Sequence, residues 1–219
     1  MSGRGADYWA ARRKKQWKRF GGKLVKTYDR PSTATIAASA WSGVKYLRTL
    51  VNSEKHKLDT VITTSISSTG AITNLSAIAQ GDAINQRTGN SVLATGVHLN
   101  MVFSLNASAT ASYVRALLFI DKQQVGDTSP SGSDLITGNY TGHLAASTVG
   151  RFQILFDYLF PLNDVGLKNK VIRKYIKLNK HIRFNGTASS DIQKGGLYML
   201  LFSNEATNSV NTYIEARLG

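Results

Sequence analysis

The 219-residue sequence contains no cysteine, which excludes disulfide bonds, thiolate zinc sites and a cysteine nucleophile. It is also poor in acidic residues, because only 13 Asp and Glu stand against 27 Lys and Arg. The resulting net charge of +14 predicts a polyanionic partner, which is either a nucleic acid or an anionic membrane surface.

Long apolar runs are missing as well. No stretch approaches the roughly 20 apolar residues that a transmembrane helix needs, so we expect no stable membrane insertion. The N-terminus is basic but is not followed by the apolar segment of a secretory signal peptide.

The sequence also lacks the signatures of common enzymes. It has no Walker-type glycine loop, no dinucleotide-binding fingerprint and no Gly-x-Ser-x-Gly elbow. Its four histidines are dispersed without the spacing of metal ligands. Asp82, Asp121 and Asp157 are the carboxylates to consider for a divalent cation between subunits, although a role in turns or at strand ends is favoured. We therefore predict a protein that is not an enzyme and that has no catalytic residues, cofactor or metal site.

Residues 1–30 form a strongly basic segment, called the basic arm below. Ten Lys and Arg oppose only two Asp there, and Tyr, Trp and Phe residues are interleaved with the charges. Because cations attract phosphates and rings stack on bases, the arm is predicted to order on single-stranded nucleic acid. The alternative is a basic amphipathic helix on a membrane surface. The predicted nucleic-acid-binding residues of the arm are Arg4, Arg12, Arg13, Lys14, Lys15, Trp17, Lys18, Arg19, Lys23 and Lys26.

One helix is predicted after the arm, over 34–52. Pro31 followed by Ser and Thr is a helix-start signal, and apolar residues then recur at three- and four-residue spacing. This apolar stripe needs a partner surface, in the β domain or in a neighbouring subunit. Core packing or such an interface is the expected role of Trp41.

The composition changes after Glu54, where Thr, Ser, Val and Ile dominate and turn residues separate short segments. The predicted strands are 56–67, 71–78, 91–106, 112–121, 150–160, 171–184, 196–203 and 209–218. The intervening segment from Val125 to Leu144 is predicted to be a long surface loop that contacts partners.

The pattern favours an all-β fold, a single eight-stranded jelly roll preceded by the basic arm and one helix. Another sandwich topology stays open at this point. The predicted organisation is a nucleic-acid-binding arm at 1–30, a helix leading into the shell at 31–53, and a jelly-roll shell domain at 54–219.

The predicted strand 171–184 carries a second concentration of cations. Seven Lys and Arg and no acidic residue lie between Lys168 and Arg183. With a period of two, Arg173, Lys177 and Arg183 share one face, and apolar residues occupy most of the other. This face is either a solvated outer face of a sheet or a nucleic-acid contact, and we include these three residues among the predicted nucleic-acid-binding residues.

Four segments, in order, resemble patterns of one group of viral coat proteins. They are LVNSEK at 50–55, QGD followed by QRTGNSV between 80 and 92, Arg115 followed by IDKQ up to 123, and RFQILFD at 151–157. Together they resemble the capsid proteins of small circular, Rep-encoding single-stranded DNA viruses, which are similar to the satellite tobacco necrosis virus coat protein. The resemblance covers nearly the whole chain.

This resemblance implies a T=1 icosahedral shell of sixty copies, with the arm turned inward onto a single-stranded DNA genome. It also implies a location in the virion, with the host nucleus as the site of assembly, and a cell-surface receptor as a further partner. The cluster from Arg12 to Arg19 has the composition of a nuclear-import signal, for which a host import receptor would be the partner. Arg87 and Arg151 are expected to fix loops or subunit interfaces, because a guanidinium can hold several acceptors at once.

Three alternatives remain at this stage. The same shell could enclose a small RNA genome, because no feature of the sequence reads a 2′-hydroxyl. A non-viral, nucleic-acid-binding or membrane-active β protein would use the basic arm without assembling. A carbohydrate-binding or enzymatic jelly roll would have no need of the arm.

Overall fold

The computed structural model describes residues 33–50, 57–124, 126, 128–148 and 150–219. The chain divides into two compact units, Met1–Ser53 and Glu54–Gly219. The predicted basic arm lies outside the described residues, so its conformation stays a prediction.

The described residues of the first unit form a helix, α1, at Thr33–Leu50. The predicted helix at 34–52 is thus confirmed to within two residues at either end. Every side chain from Ile36 to Leu47 is exposed, and Trp41 leaves 58% of its surface accessible. The role of Trp41, in core packing or at an interface, stays a prediction. No helix in the described part of the chain is long and apolar enough to cross a membrane.

The second unit is built from antiparallel strands, and all eight predicted strands are present. Sequence reasoning missed only the short β7, which lies between two turns. The predicted strand 71–78 ends early, because the Asn74 side chain accepts hydrogen bonds from the backbone and hydroxyl of Ser76 and turns the chain. The strands of the described residues are β1 Leu58–Ile66, β2 Ala71–Asn74, β3 Ser91–Ser104, β4 Ala111–Asp121, β5 Phe152–Asn163, β6 Asn169–Phe184, β7 Ile192–Lys194, β8 Gly196–Ser203 and β9 Val210–Leu218.

The strands form two sheets with the order of a jelly roll. One sheet runs β1-β9-β3-β6-β7 and the other β2-β8-β4-β5. Apart from β6-β7 and β4-β5, the neighbours within each sheet are not consecutive in the chain, as the Greek-key connections of a jelly roll require. The predicted fold class is confirmed, and β7 extends the first sheet by a fifth strand.

The core lies between the two sheets. Strand β9 alternates strictly between buried and exposed residues, as a strand with one solvated face does. Strand β8, in contrast, is buried at all eight positions. The four-stranded sheet must therefore be covered on its outer face as well.

That cover is the segment between β4 and β5. It contains a one-turn helix, α2, at Gly132–Leu135, which begins with a capping box formed by Ser131 and Asp134. Leu135 and the following Ile136 are buried against aromatic and aliphatic side chains of β4, β5 and β8. The expectation of a surface loop is thus wrong at these two residues, which close a second hydrophobic cluster. Contact of this segment with partners stays a prediction.

Candidate nucleic-acid interface

The outward face of β6 carries the cations that the sequence singled out. Arg173, Lys177 and Arg183 are all exposed and lie on the same side of the strand. Apolar residues such as Ile182 and Phe184 are buried on the opposite side, as the period of two predicted. A β-bulge at Asn179, which has a φ of 52°, interrupts the pairing with β3 between Lys177 and Lys180.

These three cations have no acidic partner among the described residues. The ion pairs of the described chain join Arg115 to Asp157, Arg151 to Asp121 and Arg217 to Asp59. Because β6 pairs with β3 and β7, none of these cations faces an acidic residue. Asn100 lies opposite Arg173, Gly96 opposite Lys177, and Ser91 and Lys194 lie opposite Arg183. The face is therefore free to attract an external anion.

A groove of about 970 Å³ lies on this face of the five-stranded sheet. It crosses β1, β9, β3 and β6, so its residues come from four segments that are distant in the sequence. The register places Tyr175 opposite His98, and His98 opposite Arg217 on the other neighbouring strand. The groove thus combines aromatic, cationic and polar side chains.

Tyr175 lies across the backbone of β3 at Gly96. A Cβ at Gly96 would stand 2.7 Å from the Tyr175 hydroxyl and 2.8 Å from its ring carbon Cε2, so only glycine leaves room for the ring there. The Tyr175 ring packs beside His98, with 4.5 Å between the ring centres and a tilt of 41°. Tyr175 nevertheless remains 55% exposed.

The far side of the groove is more acidic. Arg217 holds both carboxylate oxygens of Asp59, at 2.6 and 2.8 Å. The hydrogen bond from Arg217 keeps the pKa of Asp59 below its ordinary value. Glu215 accepts a hydrogen bond from the Tyr213 hydroxyl at 2.7 Å, which raises the pKa of that hydroxyl.

Asn100 lies one row along the sheet from His98, between Glu215 and Arg173. Its Oδ1 is buried and has no hydrogen-bond partner in the described structure. Buried polar atoms are rarely left in this state, so this oxygen is an unused acceptor at the groove.

Arg87 lies away from this face, buried between the β2–β3 and β6–β7 loops. Its guanidinium donates to the carbonyl oxygens of Ile78 at 3.1 Å, Gly89 at 2.9 Å and Gly186 at 2.5 Å. It also stacks on Phe184, 4.0 Å from the ring centre. Burial lowers the pKa of Arg87, while attraction by Asp191 opposes that shift. Arg87 therefore joins the β2–β3 loop to the β6–β7 loop of the same chain, and these contacts leave it 1% exposed.

Arg151 closes the base of the segment that covers the four-stranded sheet. It binds Asp121 through two hydrogen bonds, at 3.0 and 2.6 Å, and the Asp121 side chain is fully buried. These hydrogen bonds raise the pKa of Arg151. Since Asp121 ends β4 and Arg151 precedes β5, the pair joins the two ends of the covering segment.

Sequence reasoning missed the partner pair, Arg115 with Asp157. Arg115 binds this carboxylate at 2.9 and 2.7 Å and also donates to the carbonyl oxygens of Tyr140 and Gly142, which fastens the covering segment to the sheet. A signal was present in the sequence: Asp121 follows Arg115 by six positions, and Asp157 follows Arg151 by six positions. When the two segments pair in antiparallel register, each Arg comes near the Asp of the other segment: Asp157 lies opposite Leu117, two residues from Arg115.

Asp121 and Asp157 are thus occupied by arginines rather than open to a cation. Asp82, the third carboxylate considered for a metal, is exposed in a loop. The described residues contain no group of three or more His, Asp or Glu placed to hold a metal ion.

Comparison with known proteins places the chain in a family. The sequence model of the satellite tobacco necrosis virus coat protein matches residues 34–218. The chain belongs to this family. A search of the curated proteins found no significant match to the chain. Membership indicates a structural role in the virus particle rather than an enzymatic one.

Solved capsid structures resemble this coat protein in part. One is the Desmodium yellow mottle tymovirus, with 13% identity, a TM-score of 0.34, and coverage of 74% of this chain and 85% of the other. Another is the 60-mer BFDV capsid protein, with 11% identity, a TM-score of 0.29, and coverage of 74% and 89%. With both TM-scores below 0.5, the family assignment rests on the sequence match and on the strand order described above.

Proposed function

We propose that this coat protein assembles into a T=1 shell of sixty copies and packages a single-stranded DNA genome. The observation that carries the proposal is the distribution of charge. The basic arm has a net charge of +8 by its sequence, and β6 adds three exposed cations without acidic partners among the described residues. A shell that faces such a surface inward needs a polyanion inside it.

The amount of charge suits a small genome. Sixty arms at +8 supply about 480 positive charges, enough for roughly as many nucleotides at one charge each. The remaining positive charge of the chain and small cations would neutralise the rest of a genome of one to a few times that length. Binding through eight charges also predicts a slope of about −6 for log K against log salt on single strands.

A single-stranded RNA genome is the second candidate, and the family match supports it equally. Phosphate attraction and base stacking do not distinguish RNA from DNA, and recognition of RNA needs a contact to its 2′-hydroxyl. A DNA genome would agree with the resemblance to coat proteins of circular, Rep-encoding viruses. Only in that case would we expect import through the cluster from Arg12 to Arg19 and assembly in the host nucleus.

The direct test is electron microscopy of the purified full chain together with its ratio of absorbance at 260 and 280 nm. We expect uniform closed shells with a ratio typical of nucleic acid, and nuclease digestion of the extracted polymer then separates DNA from RNA. Monomers without shells at low and moderate salt would contradict the proposal and favour a non-assembling nucleic-acid-binding protein.

A matched pair of variants tests the role of the arm. Changing Arg12, Arg13, Lys14 and Lys15 to Gln should lower the salt slope by about 3, because four phosphate contacts are lost. The same number of changes among the arm's uncharged residues should leave the slope unaltered. A loss confined to one nucleotide sequence would contradict phosphate binding and indicate recognition of bases.

A further inference from the structure

The groove on the five-stranded sheet contains an aromatic ring, that of Tyr175, which packing leaves largely exposed. Tyr175 covers Gly96 and contacts His98, yet more than half of its surface stays exposed. Covering a glycine in a sheet is a structural role, but it needs only one side of a ring. The free side is a flat surface of the type on which nucleobases stack.

The cations of β6 flank this ring. Arg173 and Lys177 lie two residues before and two residues after Tyr175, on the same face. Two residues of a strand span about 7 Å, so one charge stands on each side of the ring. A base on the ring would bring its two flanking phosphates toward these two charges.

The polar atom that lacks a partner lies in the same groove. The buried Oδ1 of Asn100 needs a hydrogen-bond donor, and the described chain supplies none. Base edges carry N–H donors, and Asn is a residue that reads such edges. A stacked base next to His98 would lie one row from this amide.

We infer that this groove is a nucleotide subsite, in which a base stacks on Tyr175 beside His98 and its flanking phosphates contact Arg173 and Lys177. The inference rests on the proposed packaging function and makes it specific, because it assigns a defined nucleotide contact to the shell domain in addition to the arm. It also means that the outward face of the five-stranded sheet is turned toward the genome.

Photo-crosslinking of the full chain tests the subsite directly. Single-stranded oligonucleotides carrying 5-iodouracil are bound and irradiated, and the adducts are mapped by mass spectrometry. We expect adducts at Tyr175 or His98 in addition to those in the basic arm. Tyr175→Ala should abolish the groove adduct, and Tyr175→Phe, which keeps the ring, should retain it.

The matched control is Tyr113→Ala on the other sheet. Tyr113 is also exposed and stacks on Tyr140, with 6.0 Å between ring centres, but the nearby Arg115 is already paired with Asp157. This control should leave the groove adduct unchanged. Thermal unfolding of each variant shows whether the shell domain is intact.

A thermodynamic cycle adds a second readout. Tyr175→Ala should weaken the binding of a short oligonucleotide by about fivefold to 100-fold, the effect of removing one stacked ring. An abasic nucleotide at the bound position should lower the affinity of the wild type by the same factor. It should cause no further loss of affinity in Tyr175→Ala.

The outcomes separate the two proposals. Adducts only in the basic arm, with no effect of Tyr175→Ala, would overturn the subsite and leave packaging by the arm intact. No adduct anywhere together with no binding would overturn the packaging function and the subsite with it.

Discussion

The two sheets of this jelly roll differ in whether their outer faces are covered. The four-stranded sheet is covered by the chain itself, through α2, a hydrophobic cluster and two bidentate ion pairs. The five-stranded sheet keeps its outer face open and places cations there without acidic partners in the described chain. On the covered face, Arg115 and Arg151 each neutralise an acid of the same chain. On the open face, β6 leaves its positive charge for a partner.

The largest effect should come from the buried ion pair of the covered face. Asp121→Asn removes the carboxylate that holds Arg151 and leaves a guanidinium with reduced compensation, which should cost about 3–5 kcal/mol. Urea unfolding of the unassembled protein measures this change. The matched control is Asp59→Asn in the exposed pair with Arg217, which should leave the unfolding midpoint nearly unchanged. Equal shifts for the two variants would contradict the difference between the faces.

A smaller loss is expected from the apolar contact of the covering segment. Leu135→Ala removes a side chain that is 1% exposed, and such truncations cost about 2–5 kcal/mol. Leu144→Ala, in the same segment but exposed, should change the free energy of unfolding by no more than about 0.5 kcal/mol. If both variants behave alike, the segment does not close the sheet.

Neutralising the open face should affect binding and not folding. The triple change Arg173→Gln, Lys177→Gln and Arg183→Gln should lower the slope of log K against log salt by about 2 on single strands. Lys122→Gln, a single exposed charge at the end of the covered sheet, should leave the slope unaltered. An unchanged slope in the triple variant would remove β6 from the nucleic-acid interface.

The smallest effect is the titration of Asp59. Because the hydrogen bond from Arg217 lowers its pKa, the folded state holds this proton more weakly than the unfolded chain. The pair therefore contributes stability above the ordinary aspartate pKa of about 4, and that contribution is lost as pH falls below it. Carboxyl NMR should show a lowered pKa in the wild type and an ordinary one in Arg217→Gln. An unshifted wild-type value would mean that the pair does not form in solution.

The strands were predictable because their signals are local. Alternation along β6 and turn residues between segments placed the strands within a few residues and showed which side of β6 is cationic. The sequence also indicated Arg87 and Arg151 as residues that hold several acceptors. Both lie beside turn-rich loops, where backbone carbonyls or a strand-end carboxylate are available.

The groove was not predictable, because it depends on register between distant strands. His98 lies on β3, and nothing local in the sequence shows that it pairs with Tyr175 on β6. The role of Gly96 follows only from that pairing. The burial of Leu135 and Ile136 was missed for a similar reason: two apolar residues in a segment rich in Gly, Ser and Thr give no period, and only the packed sheet shows what they cover.

The most direct test of the two-face account is a cryo-electron microscopy reconstruction of particles formed by the full chain with their packaged nucleic acid. The account predicts that the open face of the five-stranded sheet lines the interior, with nucleic-acid density against β6 and the groove at Tyr175. Shells in which the covered four-stranded sheet faces the genome, and the cations of β6 face the outside, would contradict it.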